Sequence, residues 1–191
     1  QRDLIAGEVS KDLTRRLLLP EYISKAHDEG AIHFHDAYYF LQPIFNCCLI
    51  NIGDMLDNGT VMNAKLIESP KSFQVACNIM TQIIASVACS QYGGQSVDIR
   101  HLGKYLRRSR EKFYNTLKAN HPELSEQTLC ALADERTRDE LRSGVQTIQY
   151  QINTLMTTNG QSPFVTLFLY IDEKDEYVAE NSMIIEEILR Q

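Results

Sequence analysis

What the chain lacks narrows its class before any motif is read. No apolar run approaches the ~18–20 residues that a membrane-spanning helix needs, and no stretch reads as a signal peptide. There is no CxxC pair, and the cysteines number five, an odd count at no framework spacing. That excludes a disulfide-stapled secreted scaffold and points to a reducing compartment, the cytoplasm. An excess of basic residues is also missing. The net charge is −6, which argues against a generic DNA or RNA binder. Gly93-Gly94 belongs to no G-x-G-x-x-G after a strand, so there is no dinucleotide fingerprint. Internal repeats and low-complexity segments are absent. So is a starting Met: the chain opens Gln1-Arg2-Asp3 and ends inside an apparent helix, Ile184 to Arg190. It reads as a fragment of a longer protein.

What is present is globular. The composition is 43% hydrophobic and 23% charged over 191 residues, enough for one domain with a real core. The stretch Phe45-Asn46-Cys47-Cys48-Leu49-Ile50-Asn51, bounded by Pro43 and Gly53-Asp54, has the pattern of a buried strand over about 44–51. Successive strand side chains point to opposite faces, so Cys47 shares a face with Phe45 and Leu49, and Cys48 with Asn46 and Ile50. A bridge between adjacent cysteines would close a strained ring. Both thiols fit as small core residues, and one of them fits equally as a chemical group.

Before this strand, the punctuation at Ser10, Pro20 and Gly30 predicts a short helix and a second over 20–29. Residues 31–40 read as extended. In that setting His33 and His35 share a face and Asp36 points away. An H-x-H pair has three readings: hydrogen-bonded structural histidines, the polar wall of a ligand pocket, or two ligands of a metal site that lacks its others.

After it, Asp57-Asn58-Gly59 is turn chemistry, and Ser69-Pro70 predicts a helix start. Phe73, Ala76, Met80, Ile83, Ile84 and Val87 recur at helical spacing, predicting a deeply packed helix over 71–91 that holds Cys77 and Cys89. A second helix is expected over 98–118, with seven basic residues against Asp98 and Glu111. It is either a solvated face or an anion site, with Lys104 and Arg107 on its basic side. Helix is expected again over 125–157, interrupted at Gly144. Phe164 to Ile171 then reads as a second strand, over 163–171, and Glu180 opens another helix. Two such runs, apolar on both faces and joined by long helices, imply α/β architecture with parallel strands and a right-handed crossover.

His33-Phe34-His35-Asp36, Phe45-Asn46-Cys47, Tyr92-Gly93-Gly94, Asn153-Thr154-Leu155 and Asn159-Gly160-Gln161-Ser162-Pro163-Phe164-Val165-Thr166, in this order, resemble the anaerobic (class III) ribonucleoside-triphosphate reductases. The resemblance runs from about residue 20 to 171. It implies that residues 1–191 are the first part of a ten-stranded α/β barrel, without the family's ATP-cone and glycyl-radical region. It also implies the family's chemistry. A radical-SAM iron–sulfur activase makes a glycyl radical, which generates a thiyl radical in the barrel. Ribonucleoside triphosphates are reduced to deoxyribonucleoside triphosphates, formate serving as reductant in many members. The cysteine of the first barrel strand, which takes part in the reduction, maps to Cys47. His33, His35 and Asn46 map to the substrate pocket. The two long helices map to a homodimer face that holds ATP or dNTP effectors, with Lys104 and Arg107 as effector ligands. The thiyl cysteine and radical glycine lie later in the family's sequence. Two other readings stand beside this one: a metal-dependent hydrolase using His33 and His35, and a non-catalytic nucleotide-binding dimerisation module.

Overall fold

The structure is a computed structural model, and it describes residues 2–41, 47–62, 64–91, 93–155 and 163–191. The chain begins with α1 (Arg2–Leu13), which widens into a π-helical turn over Thr14–Leu18 before Pro20 stops it. Next, α2 (Glu21–Asp28) ends at Gly30, whose φ of +75° a side chain would resist. Residues 31–40 are not extended as expected. Asp36 takes a left-handed φ of 54° and turns the chain into a 3₁₀ turn over Ala37–Tyr39. This turn packs back on α1, with Ser10 Oγ donating to Tyr38 O at 2.5 Å.

The remaining elements build one layered unit: β1 (Cys48–Ile50), α3 (Ile52–Asp57), the hairpin β2 (Thr60–Met62) and β3 (Lys65–Ile67), α4 (Phe73–Ala88), β4 (Gln95–Asp98), a 3₁₀ turn over Ile99–Leu102, α5 (Gly103–Asn120), α6 (Glu126–Thr154), β5 (Val165–Phe168) and α7 (Val178–Arg190). The fold is mixed α/β, mostly helical, around a parallel sheet of order β1-β4-β5. Two strands were expected, about 44–51 and 163–171. Both are present in shorter form, and neither pairs with the other, because the unexpected β4 lies between them. Cys48 is opposite Gln95, and Gln95 opposite Val165.

Alternation gives the sheet two unlike faces. Ile50, Gln95 and Val97 are buried beneath the helices, whereas Leu49 is 69% and Phe168 43% exposed on the opposite face. The core joins Ile52, Leu56, Phe73, Met80, Ile84, Leu102, Tyr105, Val145 and Ile184. Burying each large apolar side chain contributes about 1.5–3 kcal/mol, so α4, with its wide apolar stripe, is the element on which the others close.

The start of α4 is pinned from three directions. Its N-cap is Ser72, not Ser69, and accepts from Val75 N. Phe73 N donates to the buried Ser109 Oγ of α5 at 2.9 Å, and Gln74 N to Glu140 Oε1 of α6 at 2.9 Å. Each bond satisfies an amide that a helix start leaves open. Further along, Gln74 Nε2 donates to Thr147 Oγ1 at 2.9 Å, and Gln151 bonds both Thr81 and Asn78. Gly144 does not interrupt α6, which runs unbroken for 29 residues. Its role is close approach: a Cβ there would lie 2.5 Å from Phe73 Cε1 and 3.1 Å from Cys77 Sγ.

Candidate functional site

Cys48 begins the ladder, its N–H donating to Gly94 O at 3.1 Å. Its side chain packs against the core beneath the helices, and burial, then the neighbouring Cys47, pushes its thiol pKa up. Cys47 stands one residue before the ladder and is exposed. Strand alternation assigns it to the side of Leu49, away from the helix layer. The two adjacent sulfurs therefore meet different surroundings, as the sequence pattern implied. Neither is in a disulfide. Asn46 lies outside the described residues, as do 42–45 leading to it from the histidine segment.

The imidazoles come together, but through a turn. His33 Nε2 and His35 Nδ1 are 3.2 Å apart, and His35 Nε2 lies 3.1 Å from Asp36 Oδ2. Asp36 thus faces His35 instead of pointing away, because its left-handed backbone reverses the chain. His27 joins them: its Nδ1 accepts from Phe34 N at 3.1 Å, and its ring centroid is 5.5 Å from that of His33. Such a cluster can donate and accept hydrogen bonds toward a polar ligand. Among the described residues, no group of three or more His, Cys, Asp or Glu is arranged to hold a metal ion.

On α5 the expected run of positive charge is largely matched by acids from elsewhere in the fold. Arg107 Nε donates to Glu180 Oε1 at 2.7 Å, Nη1 reaches Glu176 at 3.0 Å, and the guanidinium lies 4.4 Å from the Tyr177 ring centroid. Lys104 pairs with Asp57 at the end of α3. Arg110 pairs with Asp134 of α6, and Arg100 forks onto Asp98. Partial burial opposes ionisation of Asp57, Asp98 and Glu180. Hydrogen bonds from Lys104 and Tyr105, from Arg100 and from Arg107, respectively, overcome it and hold all three carboxyls below their usual range. Tyr105 is buried and donates to Asp57 Oδ1 at 2.8 Å. Burial, then that bond, pushes its pKa up to about 12.

Two concavities accompany these groups. A groove of about 240 Å³ between α5, α6 and α7 is lined by Arg107, Arg110, Thr137, Arg138 and Glu180. An open hollow of about 420 Å³ at the carboxyl ends of β4 and β5 is lined by Asp98, Arg100, Phe168 and Tyr170. Sequence reasoning missed Asp57 and Tyr105, which sit 48 positions apart with no linear signal joining them.

The described residues thus form a mixed α/β unit with a parallel sheet, an exposed cysteine at the head of β1 and no helix long and apolar enough to cross a membrane. Comparison with known proteins gives the family. The family model described as anaerobic ribonucleoside-triphosphate reductase matches residues 1–191, and the chain belongs to that family. It is 41% identical over 175 residues to the anaerobic ribonucleoside-triphosphate reductase of Enterobacteria phage T4, covering 87% of this chain and 27% of that protein. The proteins of the same name from Escherichia coli and Salmonella typhimurium are each 40% identical over 167 residues, covering 87% of this chain and 23% of theirs. The chain thus spans about a quarter of the length of these curated relatives. Its fold resembles part of the crystal structure of the anaerobic ribonucleotide reductase from Thermotoga maritima in complex with dATP and CTP. The TM-score is 0.57 at 11% identity, over 98% of this chain and 31% of that one.

Proposed function

We propose that residues 1–191 form the first part of the ten-stranded catalytic barrel of an anaerobic ribonucleoside-triphosphate reductase. The complete enzyme acts in the cytoplasm as a homodimer, after a radical-SAM iron–sulfur activase has installed a glycyl radical. That radical, and the thiyl radical derived from it, belong to parts of the protein outside this chain. The thiyl would supply hydrogen-atom abstraction at the ribose 3′ position. The 2′ hydroxyl leaves as water, and formate supplies two electrons and becomes carbon dioxide. The balance is one ribonucleoside triphosphate plus formic acid giving one deoxyribonucleoside triphosphate, carbon dioxide and water.

Within this chain, Cys47 is the thiol that takes part in the reduction. His33, His35 and Asn46 bind substrate, and the turn at Asp36 aims the imidazoles. Lys104 and Arg107 receive the phosphates of an ATP or dNTP effector, which must compete with Asp57, Glu176 and Glu180 for them. The reading is carried by the position of Cys47, exposed at the head of β1 on the side away from the helices. In a closed barrel that side is the dry interior, where a radical is kept from water. The metal-dependent hydrolase reading draws no support from the family match.

The test is product formation from ribonucleoside triphosphate and formate by the full-length, activated enzyme. Cys47→Ala abolishes deoxynucleotide formation; near-normal turnover would refute the role given to Cys47. The chain of residues 1–191 alone shows no turnover.

A further inference from the structure

Asp57 sits where three parts of the molecule meet. It is the last residue of α3, and α3 follows β1 after the single residue Asn51. Its carboxylate accepts from Tyr105 Oη at 2.8 Å and pairs with Lys104 Nζ, both from the first turn of α5. Ser69, in the segment between β3 and α4, stands near the Tyr105 hydroxyl and opposes the rise of its pKa. Arg108 stands over the Tyr105 ring, 5.1 Å from its centroid. Tyr105, Leu56 and Ile52 are fully buried, so α3 and the start of α5 are locked together by packing as well as by charge. The Lys104 side chain is 19% exposed and that of Asp57 43%, so the pair is partly open to solvent.

We infer that Asp57 is a positioning residue that couples anion occupancy at Lys104 to the placement of β1, and so lets an effector influence which substrate is accepted. This rests on the reading that Lys104 receives effector phosphate. Phosphate and the Asp57 carboxylate contend for one ammonium, and the arriving negative charge repels the carboxylate. Asp57 is then held by its hydrogen bond from Tyr105 and by the charge of Arg108. A shift of its carboxylate moves the end of α3, a short rigid helix anchored through Ile52 and Leu56, and α3 leads directly to Asn51 and β1. A ligand moves an equilibrium only through unequal affinity for two states; here the inequality is the contest for Lys104.

The experiment uses the full-length, activated enzyme with two competing ribonucleoside triphosphates, with and without a dNTP effector. Asp57→Asn keeps an oxygen for Tyr105 and removes the charge. Effector Kd then falls by about twofold to fivefold, as expected for a partly exposed ion pair. The effector-driven change in substrate preference shrinks by about fivefold or more. A merely structural role would lower all activity together and leave the preference intact. If Asp57→Asn does not fold, Asp57→Glu is read instead: its displaced charge blunts the preference while Kd stays put, and an unchanged preference overturns the inference. Lys104→Ala separates the two layers. Wild-type effector binding by Lys104→Ala overturns the effector reading and this inference with it. Weakened binding there, together with wild-type Kd and preference in Asp57→Asn, overturns the inference alone.

Discussion

On one face of the sheet, Ile50, Gln95 and Val97 are shut beneath α4 and its neighbours. On the other, Leu49, Thr166 and Phe168 stand open beside Cys47. The same three strands make both faces, and even the paired cysteines are divided between them. The covered face holds the molecule together through close packing and helix caps. The open face adds little to that packing, and on the proposed reading it is the face that carries the chemistry. Stability and reactivity are therefore expected to respond to different residues, even where those residues are neighbours in sequence.

The largest effects on stability should come from the covered side. Phe73→Ala should cost about 3–5 kcal/mol, measured by urea unfolding, because Phe73 fills the crossing of α4 and α6. Gly144→Ala should cost about 1–3 kcal/mol by overpacking, since its Cβ would press into the Phe73 ring. A neutral result for Gly144→Ala would mean that the two helices cross with room to spare.

Acid should also weaken the fold. Asp57, Asp98 and Glu180 have lowered folded pKa values. Their contribution is fully present above the ordinary carboxylate pKa of ~4 and is lost as pH falls through the folded values. Unfolding followed from pH 7 to 3 should show this loss, and Asp57→Asn should flatten part of it. The smallest effect belongs to the open face: Leu49→Ala should change stability by only about 0.5 kcal/mol. A loss as large as that for Phe73→Ala would erase the distinction between the faces.

Much of this contrast was legible in the sequence, and the failures have identifiable causes. The apolar stripe from Phe73 to Val87 announced α4, and simple alternation separated Cys47 from Cys48. Strand β4 was hidden because Gln95-Ser96-Val97-Asp98 has one apolar residue and runs directly into the basic helix. Its burial comes from position between two strands, not from composition. Helix α3 is only six residues long, too short to show a period. Gly144 resembled a helix break because small size suits both a break and a close crossing, and only Phe73 and Cys77 opposite decide between them. The acids that meet Lys104 and Arg107 come from α3, α7 and the turn before it, so α5 looked more basic on its own than it is in place. At the candidate site, the grouping of His33 with His35 was readable, whereas the turn that brings Asp36 to them depends on a left-handed backbone at a non-glycine residue.

The most direct measurement of the central claim compares Cys47→Ala with Cys48→Ala in the activated full-length enzyme, scoring deoxynucleotide formed per radical installed. The account predicts no product from the first and turnover close to wild type from the second. Equal losses from both, or the reverse order, would contradict it.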